Sequence, residues 1–129
     1  MIVADASALV EALLGSRGGL VTARLFAANE VVLAPHLIDL ETTQAIRRIL
    51  AGGGMDAWRA AQAIADLQQC PLVRHDHTVL LPRIWALRDN LTAYDATYVA
   101  IAEAYEAPLV TCDGKLAASP GHRARVEVL

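Results

Sequence analysis

Four carboxylates in this chain stand where a carboxylate can do chemistry. Asp5 closes the apolar run Ile2-Val3-Ala4, and Asp113 closes Leu109-Val-Thr-Cys112. Each reads as the first residue beyond a buried strand. In open parallel α/β sheets, sites form beyond the carboxyl ends of the strands, so both acids are expected on one rim. An Asp after a strand also serves as a turn former or helix cap, and for either acid alone that alternative stays open. Asp95 lies in Asn90-Leu-Thr-Ala-Tyr-Asp-Ala-Thr-Tyr-Val-Ala100. Thr92-x-x-Asp95 has the form of a capping box, with Asp95 where negative charge suits the helix dipole. From Ala93 to Tyr105 the only charged residues are Asp95 and Glu103, which marks a helix buried on most sides. Glu41 is the fourth acid. At about 100° per residue, Leu37 and Ala45 flank it one turn before and one turn after, and Ile38, Ala45 and Ile49 share the inward side. Glu41 therefore lies at the margin of the apolar arc, while Asp39 points away. The alternative is an exposed Glu paired with Arg48 or another base.

Two carboxylates a few ångströms apart repel by roughly 1–4 kcal/mol at surface-like dielectric. Several on one rim are tolerable only with protonation or a divalent cation. An all-oxygen cluster favours Mg²⁺ or Mn²⁺ over Zn²⁺. The four histidines (His36, His75, His77 and His122) show no metal-ligand spacing, and His75-Asp-His77 reads as a loop. No Gly-x-x-x-x-Gly-Lys, Gly-x-Gly-x-x-Gly or Gly-x-Ser-x-Gly pattern occurs. A cation held by carboxylates typically serves phosphate chemistry, activating a water and stabilising the transition state.

The elements that must position these acids alternate. Ile2 to Ala4 read as a strand; Ser7 is expected to cap a helix to Leu14, stopped by Gly15, and Gly18-Gly19 breaks the chain. A helix over about Val21 to Asn29 precedes a strand Val31 to Ala34, closed by Pro35. His36 to about Leu50 is helical and ends at Gly52-Gly53-Gly54, which joins it to a second packed helix over residues 56 to 69. A strand Pro71 to Arg74, helical character over residues 79 to 89 with an irregularity at Pro82, and a strong helix from Thr92 to Glu106 follow. Leu109 to Cys112 and Arg125 to Val128 complete the strands. This alternation predicts an α/β fold with a parallel sheet covered on both faces and right-handed crossovers. With no repeat or linker, residues 1–129 read as a single domain.

Composition agrees. A chain of 129 residues with 55% hydrophobic residues and a mean hydropathy of +0.36 is not intrinsically disordered. No apolar run approaches the ~18 residues of a membrane span, and the N-terminus lacks the pattern of a signal peptide. Cys70 and Cys112 are too few for a disulfide framework and read as buried, inert thiols, so a cytoplasmic protein is expected. The net charge of −3 argues against holding nucleic acid by bulk electrostatics, though not against meeting phosphate through a metal.

Four segments carry a family resemblance: Ile2-Val-Ala-Asp-Ala-Ser7, Leu40-Glu41, Asn90 through Glu103 with its Leu-Thr-x-Tyr-Asp-Ala core, and Pro108 through Ala117. In order and spacing they resemble the PIN-domain ribonucleases, and within them the VapC toxins of bacterial toxin–antitoxin pairs. The resemblance implies a PIN-like three-layer domain with a central five-stranded parallel sheet flanked by helices. It implies a Mg²⁺-dependent endoribonuclease, with Mn²⁺ as a substitute, that hydrolyses RNA phosphodiester bonds by a metal-activated water. It also implies a homodimer and a cognate VapB-like antitoxin. On this reading Asp5 and Asp95 bind the metal with Asp113 close to it, Glu41 positions or deprotonates the water, and Ser7 and Asn90 support the site. Arg47, Arg48 and Arg88 either touch RNA phosphates or are solvated helix faces. Two rival classes stay open at this point: another Mg²⁺ phosphotransfer or phosphatase domain, and a non-catalytic PIN-fold binding module.

Overall fold

The computed structural model describes residues 1–15, 17 and 19–129, so the Gly18 half of the expected Gly18-Gly19 break lies outside the described residues. Five strands form one sheet: β1 (Ile2–Ala4), β2 (Val32–Pro35), β3 (Leu72–His75), β4 (Leu109–Thr111) and β5 (Val126–Val128). Their order is β3-β2-β1-β4-β5, and every pairing is parallel. β1 is central, with Val3 opposite both Leu33 and Leu109. All three of its residues are fully buried, as a strand covered on both faces requires.

The helices are α1 (Ala6–Leu14), α2 (Leu20–Leu25), α3 (Leu37–Ala51), α4 (Ala57–Gln69), α5 (Leu81–Ala86), α6 (Ala93–Ala104) and α7 (Gly114–Ala118). α1 packs against α2, α3 and α4, and α5 packs against α6, which crosses β1 and β2. The chain thus moves outward from β1 through β2 to β3, then returns to β4 on the other side of β1. That reversal is the switch point of an open α/β sheet, and it lies between β1 and β4.

Ala96 through Ala102 are buried without a break, so the middle of α6 is apolar all round, as its sequence predicts. Tyr98 and Ile101 are among its fully buried side chains. The triple glycine does join two packed helices: Gly53 takes φ +78°, a left-handed conformation that glycine adopts without strain, between α3 and α4.

Several boundaries depart from expectation. Asp5, not Ser7, caps α1, because its carboxylate reaches the Ala8 N–H at 2.9 Å while Ser7 already lies inside the first turn. α2 stops at Leu25 rather than near Asn29, and Asn29 itself adopts φ +65°. Residues 79 to 89 divide into a 3₁₀ turn (Thr78–Leu80) and α5, with Pro82 in the first turn of α5, where its missing N–H costs no hydrogen bond. α7 was not anticipated from the sequence. Its five residues are separated from β4 by Cys112 and Asp113, and Asp113 caps them.

Candidate active site

All four acids come to the carboxyl rim of the sheet. Asp5 directly follows β1, and Asp113 lies two residues beyond the end of β4; these two strands flank the switch point. α3 starts just beyond β2, so Glu41 sits one turn above the rim. α6 runs back toward the start of β4, so its N-terminus and Asp95 lie on the same rim. The positive ends of α1 and α6 face these carboxylates, an interaction of about 0.3–1 kcal/mol each.

Asp5 is the anchored member. It is buried, and both oxygens are engaged. Oδ1 accepts from the Ser7 hydroxyl at 2.7 Å and from the Ala8 N–H; Oδ2 accepts from the Thr111 hydroxyl. Burial nonetheless holds its carboxyl above the usual range; these hydrogen bonds pull it down and the charge of Asp95 pushes it further up. Ser7 Oγ also accepts from the Cys112 N–H at 2.9 Å, and Thr111 Oγ1 accepts from the Asp113 N–H at 2.9 Å. Both hydroxyl protons go to Asp5, so the 3.1 Å approach of Ser7 Oγ to Thr111 Oγ1 is a contact rather than a bond. The hydroxyls of Ser7 and Thr111 therefore tie the end of β1 to the end of β4.

Glu41 is half-buried. Its pKa is raised to about 7, first by burial and then by the charges of Asp95 and Asp5, with the Tyr98 hydroxyl acting in the opposite direction. That hydroxyl belongs to a fully buried tyrosine and reaches Glu41 Oε1 at 3.5 Å. Burial and the surrounding carboxylates keep Tyr98 protonated, so it can only donate to an ionised Glu41. The expected alternative partner, Arg48, lines the same groove but forms no ion pair with Glu41 among the described residues. Asp39 does point away, into a bidentate pair with Arg74 at 2.7 Å.

Asp95 occupies the capping position read from its sequence. Its N–H donates to Thr92 Oγ1 at 3.1 Å, so Thr92 caps α6. The first turn of α6 is exposed rather than buried, yet shielding of the Asp95 carboxyl raises its pKa; the bond with Thr92 lowers it and the charge of Asp113 raises it again. Asp113 is exposed and accepts the Lys115 N–H at 2.9 Å. Asn90 stands apart from this network: its side-chain amide lies against Gly121, on the loop before β5.

Tyr98 and Thr111 are the site residues that sequence reasoning missed. Each carried a signal. Thr111 is a polar residue at the end of a buried strand, and Tyr98 follows Asp95 by three residues on α6. Cys70 and Cys112 are free, half-buried thiols that burial pushes up, as inert cysteines should be.

The donor set suits a hard divalent cation. Asp5, Glu41 and Asp95 all lie above their ordinary pKa values, and none is neutralised by an ion pair among the described residues. Among the described residues, no three His, Cys, Asp or Glu side chains are gathered into a group that could hold a metal as they stand. The exposed side chains of Asp95 and Asp113 are the ones with room to turn inward.

The PIN-domain family model matches residues 2–120. The chain is 38% identical over 120 residues to Ribonuclease VapC1 of Mycobacterium tuberculosis, covering 92% of this chain and 90% of that protein. The chain belongs to the PIN-domain VapC family. Ribonuclease VapC9 of the same organism is 40% identical over 116 residues, covering 90% and 88% of the two chains. Ribonuclease VapC12 is 36% identical over 129 residues, 100% of this chain and 99% of its own length. Among solved structures, M. tuberculosis VapC20, described as a Sarcin-Ricin loop cleaving toxin, superposes with a TM-score of 0.68 at 20% identity. That superposition covers 92% of this chain and 94% of VapC20, and it shows the shared PIN fold, a three-layer α/β sandwich. No helix among the described residues is long and apolar enough to cross a membrane.

Proposed function

We propose that the chain is the toxic component of a toxin–antitoxin pair, a Mg²⁺-dependent endoribonuclease that hydrolyses RNA phosphodiester bonds. One observation carries this reading: in a chain of the VapC family, Asp5, Glu41 and Asp95 share one rim and are held above their ordinary pKa values by burial and by the charges of neighbouring carboxylates, Asp113 in the case of Asp95. Asp5, Asp95 and Asp113 would hold Mg²⁺ or Mn²⁺, which when bound lowers the pKa of water and offsets charge on the phosphate. Ser7 and Thr111 fix the Asp5 carboxylate through its two oxygens. Glu41, poised near neutrality, accepts the proton of the attacking water, and the Tyr98 hydroxyl donates to its Oε1. A base that takes its proton from water rather than from a ribose 2′-hydroxyl yields 5′-phosphate and 3′-hydroxyl ends.

The homodimer and the VapB-like antitoxin belong to the same proposal, as does a cytoplasmic location. A rim whose acids form no ion pair among the described residues suits an arginine from an antitoxin tail. Induced expression followed by sequencing of RNA ends tests the reading. Discrete cuts bearing 5′-phosphates, lost in Asp95→Asn, are expected; 2′,3′-cyclic phosphate ends or undiminished cutting by Asp95→Asn would overturn it.

A further inference from the structure

At the opposite rim of the sheet from the acids, a groove of about 400 Å³ opens between the C-terminal end of α6 and the segment that enters β5. Glu103, Glu106 and Ala107 line one side of it, and Arg123, Ala124 and Arg125 the other. Glu103 is fully engaged: Arg83 forks onto it, and the Arg123 N–H donates to its Oε1 at 2.8 Å. The side chains of Arg123 and Arg125 are exposed, and neither forms an ion pair among the described residues. Two guanidinia therefore stand against one uncommitted carboxylate, that of Glu106, and the groove is net positive.

The groove leads onto an open sheet edge. β5 is last in the strand order and pairs with β4. The Leu109 N–H donates to the Arg125 carbonyl and the Leu129 N–H to the Thr111 carbonyl, each at 2.9 Å, so residues 125, 127 and 129 turn their backbone groups toward β4. By alternation, the N–H and C=O of Val126 and Val128 point outward, and no backbone group among the described residues pairs with them. Val128 is 48% exposed. The other edge of the sheet is guarded: Pro71 precedes β3, and the Arg74 side chain turns back onto the Leu72 carbonyl at 3.5 Å.

An edge with outward donors and acceptors matches the backbone of an extended peptide, and guanidinia at its entrance match carboxylates. We propose that the β5 edge takes up an extended acidic segment of a partner protein as an additional strand, with carboxylate side chains of that segment on Arg123 and Arg125. A nucleic acid would suit the guanidinia but has no ladder of backbone amides to match Val126 and Val128. A second copy of this chain, pairing edge to edge, would bring no free acid from β5, because Glu127 is already held by Arg24 at 2.8 and 2.9 Å. The proposal is independent of the ribonuclease reading, whose acids lie at the other rim.

The probe is a short fluorescein-labelled peptide of alternating glutamate and valine, titrated into the full chain and followed by anisotropy. Saturable binding is expected, and the Val126 and Val128 amides should gain protection from hydrogen exchange. The same peptide with lysine for glutamate should bind about tenfold more weakly or worse, as should a version N-methylated along one edge, which cannot complete the ladder. The double substitution Arg123→Gln and Arg125→Gln should also weaken binding about tenfold, with RNA cleavage unchanged. No saturable binding of the glutamate peptide, equal binding of the lysine or N-methylated peptide, or unchanged binding by the double variant would overturn the proposal. So would binding that leaves the Val126 and Val128 amides unprotected. A single-stranded RNA that displaces the peptide and is itself weakened by the double substitution would also overturn it, because the groove would then be a phosphate seat. Protection of both amides before any peptide is added, in a dimer seen by sedimentation, would do the same, because a second copy would already fill the edge.

Discussion

Two groups of carboxylates in this molecule are shifted in opposite directions. On the flank of α6, Glu103 accepts two hydrogen bonds from Arg83 at 2.7 and 2.9 Å and a third from the Arg123 N–H, and its pKa is lowered by the guanidinium. Near the N-terminus, Glu30 is lowered chiefly by its bond to the terminal ammonium and also by Arg24, which forks onto Glu127 as well. On the rim, Asp5, Glu41 and Asp95 are all raised, with burial as the leading cause in each. The same side-chain type is thus lowered and clamped where a guanidinium meets it, and raised where burial, hydroxyls and other acids surround it. Arg24, Arg74 and Arg83 are paired with acids away from the rim, and none of the rim acids Asp5, Glu41, Asp95 and Asp113 forms an ion pair among the described residues.

Breaking the rim should have the largest effect. Glu41→Gln removes the proton acceptor and should slow RNA cleavage by about 100-fold or more, measured in single turnover, with the circular dichroism spectrum unchanged. Breaking the clamp should do the opposite. Arg83→Met leaves the nearly buried Glu103 without its cation and should cost about 1–3 kcal/mol in urea unfolding, with the cleavage rate intact. An intermediate effect is expected for Thr111→Val, which keeps the β-branched shape but loses the hydroxyl that joins Asp5 to the Asp113 backbone. It should slow cleavage about tenfold, and Thr111→Ser should restore most of the rate.

A smaller effect sharpens the comparison through pH. The folded pKa of Glu41, about 7, lies above its ordinary value of 4.5. The folded state therefore binds the proton more tightly, and this contribution to stability is fully present below 4.5 and is lost as pH rises through 7. Glu41→Gln should thus raise the urea midpoint more at pH 8 than at pH 4. For Glu103, whose folded pKa is lowered, the sign reverses: Glu103→Gln should cost more stability at pH 7 than at a pH below its ordinary value of 4.5.

The positions of the acids were legible because they follow local rules. Asp5 and Asp113 end apolar runs that are three and four residues long in the sequence, and Glu41 was placed by helical phase against Leu37 and Ala45. The buried middle of α6 was legible from its lack of charge. Which acids are clamped was not, since Arg83 and Glu103 are 20 residues apart, Asp39 and Arg74 35, and Arg24 and Glu127 103. These pairs exist only after the sheet has assembled. The roles of Thr111 and Tyr98 were hidden for the same reason, because their partners, Asp5 and Glu41, lie 106 and 57 residues away. The five-residue α7 escaped because so short a helix has no periodicity to read.

On the proposed function, the rim's raised carboxylates release bound protons as a divalent cation takes their place. Titration calorimetry of Mn²⁺ into the protein near pH 6.5, repeated in buffers of different ionisation enthalpy, tests it most directly. Saturable binding with release of protons is predicted, and it should be lost in Asp95→Asn. No binding, or binding that Asp95→Asn leaves unchanged, would contradict the account.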